Sequence, residues 1–130
     1  MICPFSKPIV GRWCSCEFAT IYERCSGKMT CKHEEMLLPE CTQLVNLLIK
    51  NSRFIIGSNN GADELTHAQS MKIRCGGLIG MQRVLFDDDA TPNVRKVISS
   101  TTKRYNQLSL FPYHEVITDI QHFSHRKKRV

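Results

Sequence analysis

Thiol side chains dominate the chemistry open to this chain. Cys3, Cys14, Cys16, Cys25 and Cys31 fall within the first 31 residues, Cys41 follows ten residues later, and Cys75 stands apart. Thiolates crowd together where a cation neutralises them, and a metal-bound thiol gives up its proton. Cys14-Ser15-Cys16 sets two sulfurs within reach of one centre, too close in sequence for a comfortable disulfide. Cys3-Pro4 holds a thiol in a stiff turn, and Cys31 lies on a separate segment, as a second ligand arm would. No apolar periodicity accounts for Cys3, Cys14, Cys16 or Cys31, so these four are the leading metal-ligand candidates. Cys41 joins them on different grounds. It lies on an apolar stripe, yet also in the first turn of an expected helix, where the helix dipole favours a thiolate. Cys25 and Cys75 complete apolar helical stripes and read as small buried side chains.

The ligand types point to the kind of centre. Structural zinc is held by paired Cys-x2–4-Cys or His-x3–5-His arms. Here the tight pair is Cys-x-Cys, and His33 alone among the histidines lies near the cysteines. Iron–sulfur clusters are held by four thiolates. The all-cysteine inventory, the Cys-Pro step and the irregular spacing predict an iron–sulfur cluster, 4Fe–4S ahead of 2Fe–2S. Zinc, with Cys31-Lys32-His33 contributing, is the alternative. A cluster of this kind would move electrons or assist a larger redox system, with Trp13 and Phe18 shielding it. On this reading Cys14→Ser and Cys16→Ser lose iron, and Cys75→Ser keeps it. Seven cysteines are an odd number, so a closed disulfide framework would leave one thiol over.

Other constellations have simpler readings. Asp87-Asp88-Asp89 lacks the ligand pattern of a calcium loop and reads as a solvated turn that caps a helix. Glu34-Glu35 has no evident acid–base partner. Gly76, Gly77 and Gly80 lack both the Gly-Lys-Ser/Thr ending and the preceding strand of a phosphate loop. His122 and His125 read as part of a solvated, cationic helix end. Nothing singles out one cysteine as an enzymatic nucleophile.

These residues need elements to position them. The spacing predicts a mainly α-helical fold of about five helices in one domain spanning residues 1–130. Residues 1–41 form the cysteine-rich metal-binding region, 42–125 the helical body and 126–130 a basic tail. Residues 1–16 read as an ordered loop, with Pro4, Pro8 and Gly11. Phe18, Ile21, Tyr22 and Cys25 share helical spacing, so a helix is expected from Glu17 to about Cys25, stopped by Ser26-Gly27. Lys28 to Glu35 reads as a second loop. A helix with Pro39 in its first turn carries Cys41, Leu44, Val45 and Leu48 on one stripe and runs towards Ile56. After the Ser58–Gly61 turn signal a further helix begins with Asp63 or Thr66 as its cap, and Thr66-His67-Ala68-Gln69 has the capping-box form. Leu65, Ala68, Lys72, Cys75, Ile79 and Phe86 then trace an inner face. The three glycines within it either break that helix or admit another backbone. Thr91 and Pro92 open a helix bearing Val94, Ile98, Thr101 and Tyr105. The last helix starts near Pro112 and buries Val116, Ile117, Ile120 and Phe123. Strand signals are poor throughout.

Charge and hydropathy limit the partners. The net charge is +6, and the whole excess lies in residues 91–130, ending in Arg126, Lys127, Lys128 and Arg129. This predicts docking to an acidic protein partner, with nucleic-acid contact as the alternative role. No apolar run approaches the roughly 20 residues of a membrane helix. No segment has the pattern of a signal peptide. A soluble, cytoplasmic protein with reduced thiols is the expectation.

Overall fold

A computed structural model describes residues 3–23, 28–31, 34–53 and 65–123. The chain begins with a short helix, α1 (Ser6–Val10), followed by an antiparallel hairpin of β1 (Ala19–Glu23) and β2 (Lys28–Cys31). Three longer helices follow: α2 (Glu34–Ser52), α3 (His67–Phe86) and α4 (Val94–Tyr105). Two 3-10 turns, Leu108–Leu110 and Tyr113–Val116, lead into α5 (Ile117–His122). The fold is mainly helical and compact, as the spacing predicts. No described helix is long and apolar enough to cross a membrane.

The core explains where the helices start and how closely they pack. Thr66 caps α3 reciprocally: its side chain accepts from the Gln69 N–H at 3.1 Å, and the Gln69 side chain accepts from the Thr66 N–H at 3.0 Å. The glycines do not break α3. A Cβ on Gly76 would stand 2.7 Å from the Ile120 Cα, and one on Gly80 would stand 2.6 Å from the Val116 Cβ. One on Gly77 would meet Leu48 Cδ2 at 2.7 Å. The missing side chains therefore let α5 and the preceding turn lie against one side of α3, and α2 against another. Positive φ at Asp87 and Asn106 ends α3 and α4, a conformation that Asp and Asn tolerate better than most residues.

Several elements differ from the expectation. Residues 19–23 form a strand, not a helix. Ala19, Ile21, Met29 and Cys31 fall on one face of the hairpin, in the register Ala19 to Cys31 and Ile21 to Met29. Over so few residues, helical and strand spacing both fit an apolar pair, and cross-strand packing decides. The expected loop over residues 1–16 contains α1, anchored by Phe5, which is fully buried. Pro39 lies inside α2 rather than in its first turn. The cap of α4 is Asn93, whose side chain accepts from the Lys96 N–H at 3.2 Å; Thr91 and Pro92 precede it. The buried residues of α3 include Ile73, Leu78 and Met81, and Ile79 is only half-buried. A helix enclosed on several sides carries no single stripe to read.

Candidate metal centre

Four cysteines from four separate stretches of chain line one narrow cavity. Cys3, Cys16, Cys31 and Cys41 share it with Ile9, Ala19, Met29, Leu37, Val94 and Arg95. Its volume is about 10 Å³, far below what an organic ligand requires. The thiols themselves are the chemistry of this cavity.

Each arm is fixed by a different local device. Cys3 sits ahead of α1, where the Ser6 N–H donates to its carbonyl at 3.0 Å and buried Phe5 anchors the turn. Arg74 of α3 donates from Nε to the Pro4 carbonyl at 2.9 Å, tying the Cys3-Pro4 step to the core. Cys16 follows a short parallel bridge between Ser15 and Asn93. There the Ser15 N–H donates to the Pro92 carbonyl at 2.8 Å, and the Val94 N–H donates to the Ser15 carbonyl at 2.7 Å. Cys31 ends β2 opposite Ala19. Cys41 faces inward from α2, within the helix rather than in the first turn, so the dipole argument for it does not apply.

The electrostatics are those of crowded thiols. Burial is the largest influence on Cys3, Cys16 and Cys41, and it raises all three; Cys41 is pushed up to about 12. Mutual repulsion adds to this: Cys16 and Cys31 raise Cys3, and Cys3, Cys16 and Cys31 raise Cys41. Opposing it are groups that favour the thiolate. The backbone N–H of Phe5 hydrogen-bonds the Cys3 sulfur, and those of Phe18 and Arg95 hydrogen-bond the Cys16 sulfur. The Arg95 guanidinium also favours the charged form of Cys16 and of Cys41.

The other expected residues lie elsewhere. Cys14 is buried and does not line this cavity. Burial raises its pKa most, followed by the neighbouring thiols of Cys75, Cys3 and Cys16. Trp13 packs edge-on against Phe123, ring centroids 4.7 Å apart, and neither Trp13 nor Phe18 lines the cavity. Asp88 accepts from the Gln82 side chain at 2.7 Å and from the Ala90 N–H at 3.1 Å, in keeping with an acidic turn at the end of α3. Cys25, His33, His125 and the basic stretch Arg126, Lys127, Lys128 and Arg129 lie outside the described residues.

Sequence reasoning missed Arg95. One signal was present: a cation at the second position of α4 has no favourable partner in the helix dipole and calls for another explanation. Among the described residues, no group of three or more His, Cys, Asp or Glu is gathered as a site for a metal ion. Comparison with protein-family models, with curated proteins and with solved structures finds no match.

Proposed function

We propose that this chain is a small iron–sulfur protein whose cluster is held by Cys3, Cys16, Cys31 and Cys41. The carrying observation is the meeting of these four thiols at one apolar cavity. Chance burial of cysteines as small apolar side chains accounts for Cys14 and Cys75. Cys3 and Cys16 each head a turn that brings the N–H two residues on towards the sulfur, a local arrangement that would also support a thiolate ligand. Hydrogen bonds to sulfur are what stabilise thiolate ligands and set cluster potentials.

A zinc ion would draw its sulfurs to about 2.3 Å from a single point. A cluster spreads its ligands around a larger inorganic core, so the four arms, which come from separate stretches of chain, would have to part from the present cavity of about 10 Å³ to admit one. Four thiolates complete the protein's ligand set and leave no iron reserved for a substrate. This favours electron transfer, or support of a larger redox system, over substrate activation. Cys16 also borders an outward-facing groove with Arg12, Ser15 and Thr91, a short path from a ligand to the surface. The cationic excess of residues 91–130 suits an acidic redox partner, with an association rate that falls as salt rises.

The test is anaerobic purification followed by iron, sulfide and zinc analysis with an optical spectrum. A brown protein with about four irons and matching sulfide supports the 4Fe–4S reading, and about two supports 2Fe–2S. A colourless protein holding about one zinc replaces it with a zinc-stabilised binding module.

A further inference from the structure

Arg95 stands out among the residues of the cavity, because its environment is costly for a cation. It is 9% exposed and borders the same cavity as the four cysteines. Its Nη2 donates to Glu40 Oε1 at 2.9 Å, an ion pair between α4 and α2. Its Nη1 is buried and has no hydrogen-bond partner among the described residues. A buried, charged donor left unpaired is strongly unfavourable. Tying α4 to α2 accounts for Nη2 and leaves Nη1 unexplained. Nor does Glu40 cancel the charge at the cavity, since its side chain is 46% exposed and partly screened by water.

We infer that Arg95 donates a hydrogen bond from Nη1 to an inorganic sulfur of a cluster held at the four-cysteine centre, and so raises that centre's reduction potential. This rests on the iron–sulfur reading proposed above. A cluster with four thiolates is an anionic unit, and one-electron reduction makes it more so. The planar guanidinium can serve Glu40 with one nitrogen and a sulfur with the other, a geometry an ammonium does not share. The backbone N–H of the same residue already hydrogen-bonds Cys16, so both ends of Arg95 serve the centre. Arg95 acts through the cluster as a positioning and tuning residue.

The experiment compares wild type, Arg95→Gln, Arg95→Lys and Glu40→Gln, each loaded anaerobically with iron and sulfide. The cluster takes one electron from dithionite through redox mediators, and the midpoint potential is read. Arg95→Gln is expected to lower the reduction equilibrium constant at least tenfold, about 59 mV for one electron. Arg95→Lys should fall between it and wild type, and Glu40→Gln should not fall below wild type. An unchanged potential in Arg95→Gln overturns the inference, and so does Arg95→Lys matching wild type, because charge alone would then suffice. If Arg95→Gln does not hold a cluster, wild type carrying guanidinium-15N arginine decides. Magnetic coupling between the reduced cluster and an arginine nitrogen that persists in Arg12→Lys, where the arginine bordering Cys16 from the groove is removed, supports the hydrogen bond; absence of coupling overturns it. Wild type that takes up no iron and sulfide removes the iron–sulfur reading and this inference together. Wild type that loads, beside an unshifted Arg95→Gln, removes this inference alone.

Discussion

The backbone N–H of Arg95 hydrogen-bonds the sulfur of Cys16, joining the first turn of α4 to the Cys14-Ser15-Cys16 step. The Ser15 bridge to Pro92 and Val94 holds that alignment from the other side. Within one tripeptide the two thiols therefore differ in placement. Cys16 faces the four-cysteine cavity, and Cys14 is buried beside Cys75. Serine at position 3, 16, 31 or 41 is expected to remove most of the bound iron. Cys14→Ser and Cys75→Ser should keep the wild-type iron content, although each buries a hydroxyl and loses roughly 1–3 kcal/mol of stability where it stays unpaired. Iron per folded chain, measured across all six variants, checks the division. Equal iron in Cys14→Ser and Cys16→Ser would refute the four-cysteine assignment.

Arg74 bears indirectly on the same four-cysteine cavity. Its Nε bond to the Pro4 carbonyl and its Nη1 bond to Ser70 Oγ brace the Cys3-Pro4 step against α3. Burial lowers the pKa of this guanidinium, but the group remains cationic in any ordinary buffer. Arg74→Ala should therefore leave the helical core folded while loosening one ligand arm. The expected result is a cluster that forms but is lost faster to a chelator than in wild type, by several-fold. A time course of iron release, with circular dichroism as the control for folding, measures it.

The glycines of α3 make a graded prediction about packing. A methyl at Gly76 meets the Ile120 Cα at 2.7 Å and the Asp119 carbonyl oxygen at 3.0 Å, which are backbone atoms that cannot step aside alone. At Gly77 the contacts are the methyl ends of Leu48, which can change rotamer. Alanine itself favours a helix interior by about 1 kcal/mol over glycine. Overpacking costs typically about 1–3 kcal/mol. Gly76→Ala should therefore be clearly destabilising, and Gly77→Ala close to neutral. Chemical denaturation of the two variants tests the order, and the reverse order would contradict the packing described here.

Which parts of this arrangement are legible in the sequence follows from how local their causes are. The start of α3 is written in Thr66 and Gln69, whose reciprocal bonds span three residues. The stripe of α2 and the helical character of residues 94–105 are similarly local. The hairpin is not: Ile21 becomes a strand residue by pairing with Met29 and by facing the core across it. The inward face of α3 is unreadable because it packs against other elements on several sides. At the site, Cys3, Cys16, Cys31 and Cys41 could be nominated from their type and position. Their separation from Cys14 could not, because it depends on the bridge from Ser15 to a segment 77 residues away. Arg95 needed the fold most of all, since its partners Glu40 and Cys16 are on other elements.

Cys75 carries a prediction about alkaline pH. Burial raises its pKa from the ordinary 9.0 to about 12, and the nearby Arg74 guanidinium only partly offsets this. Its folded-state pKa thus lies above its unfolded value. A thiol that stays neutral in the folded chain favours folding fully while the unfolded thiol is also neutral, below about pH 9. As pH rises from about 9 towards about 12, the unfolded chain ionises first, and that contribution is lost. The slope from one such group approaches ~1.4 kcal/mol per pH unit. Cys75→Ala removes the group, so between these pH values the variant should lose stability more gently than wild type, even though it is less stable at neutral pH from the cavity it leaves. Urea denaturation of the metal-free protein at several pH values gives the two slopes. Parallel loss in wild type and Cys75→Ala would show that Cys75 does not contribute to the alkaline transition.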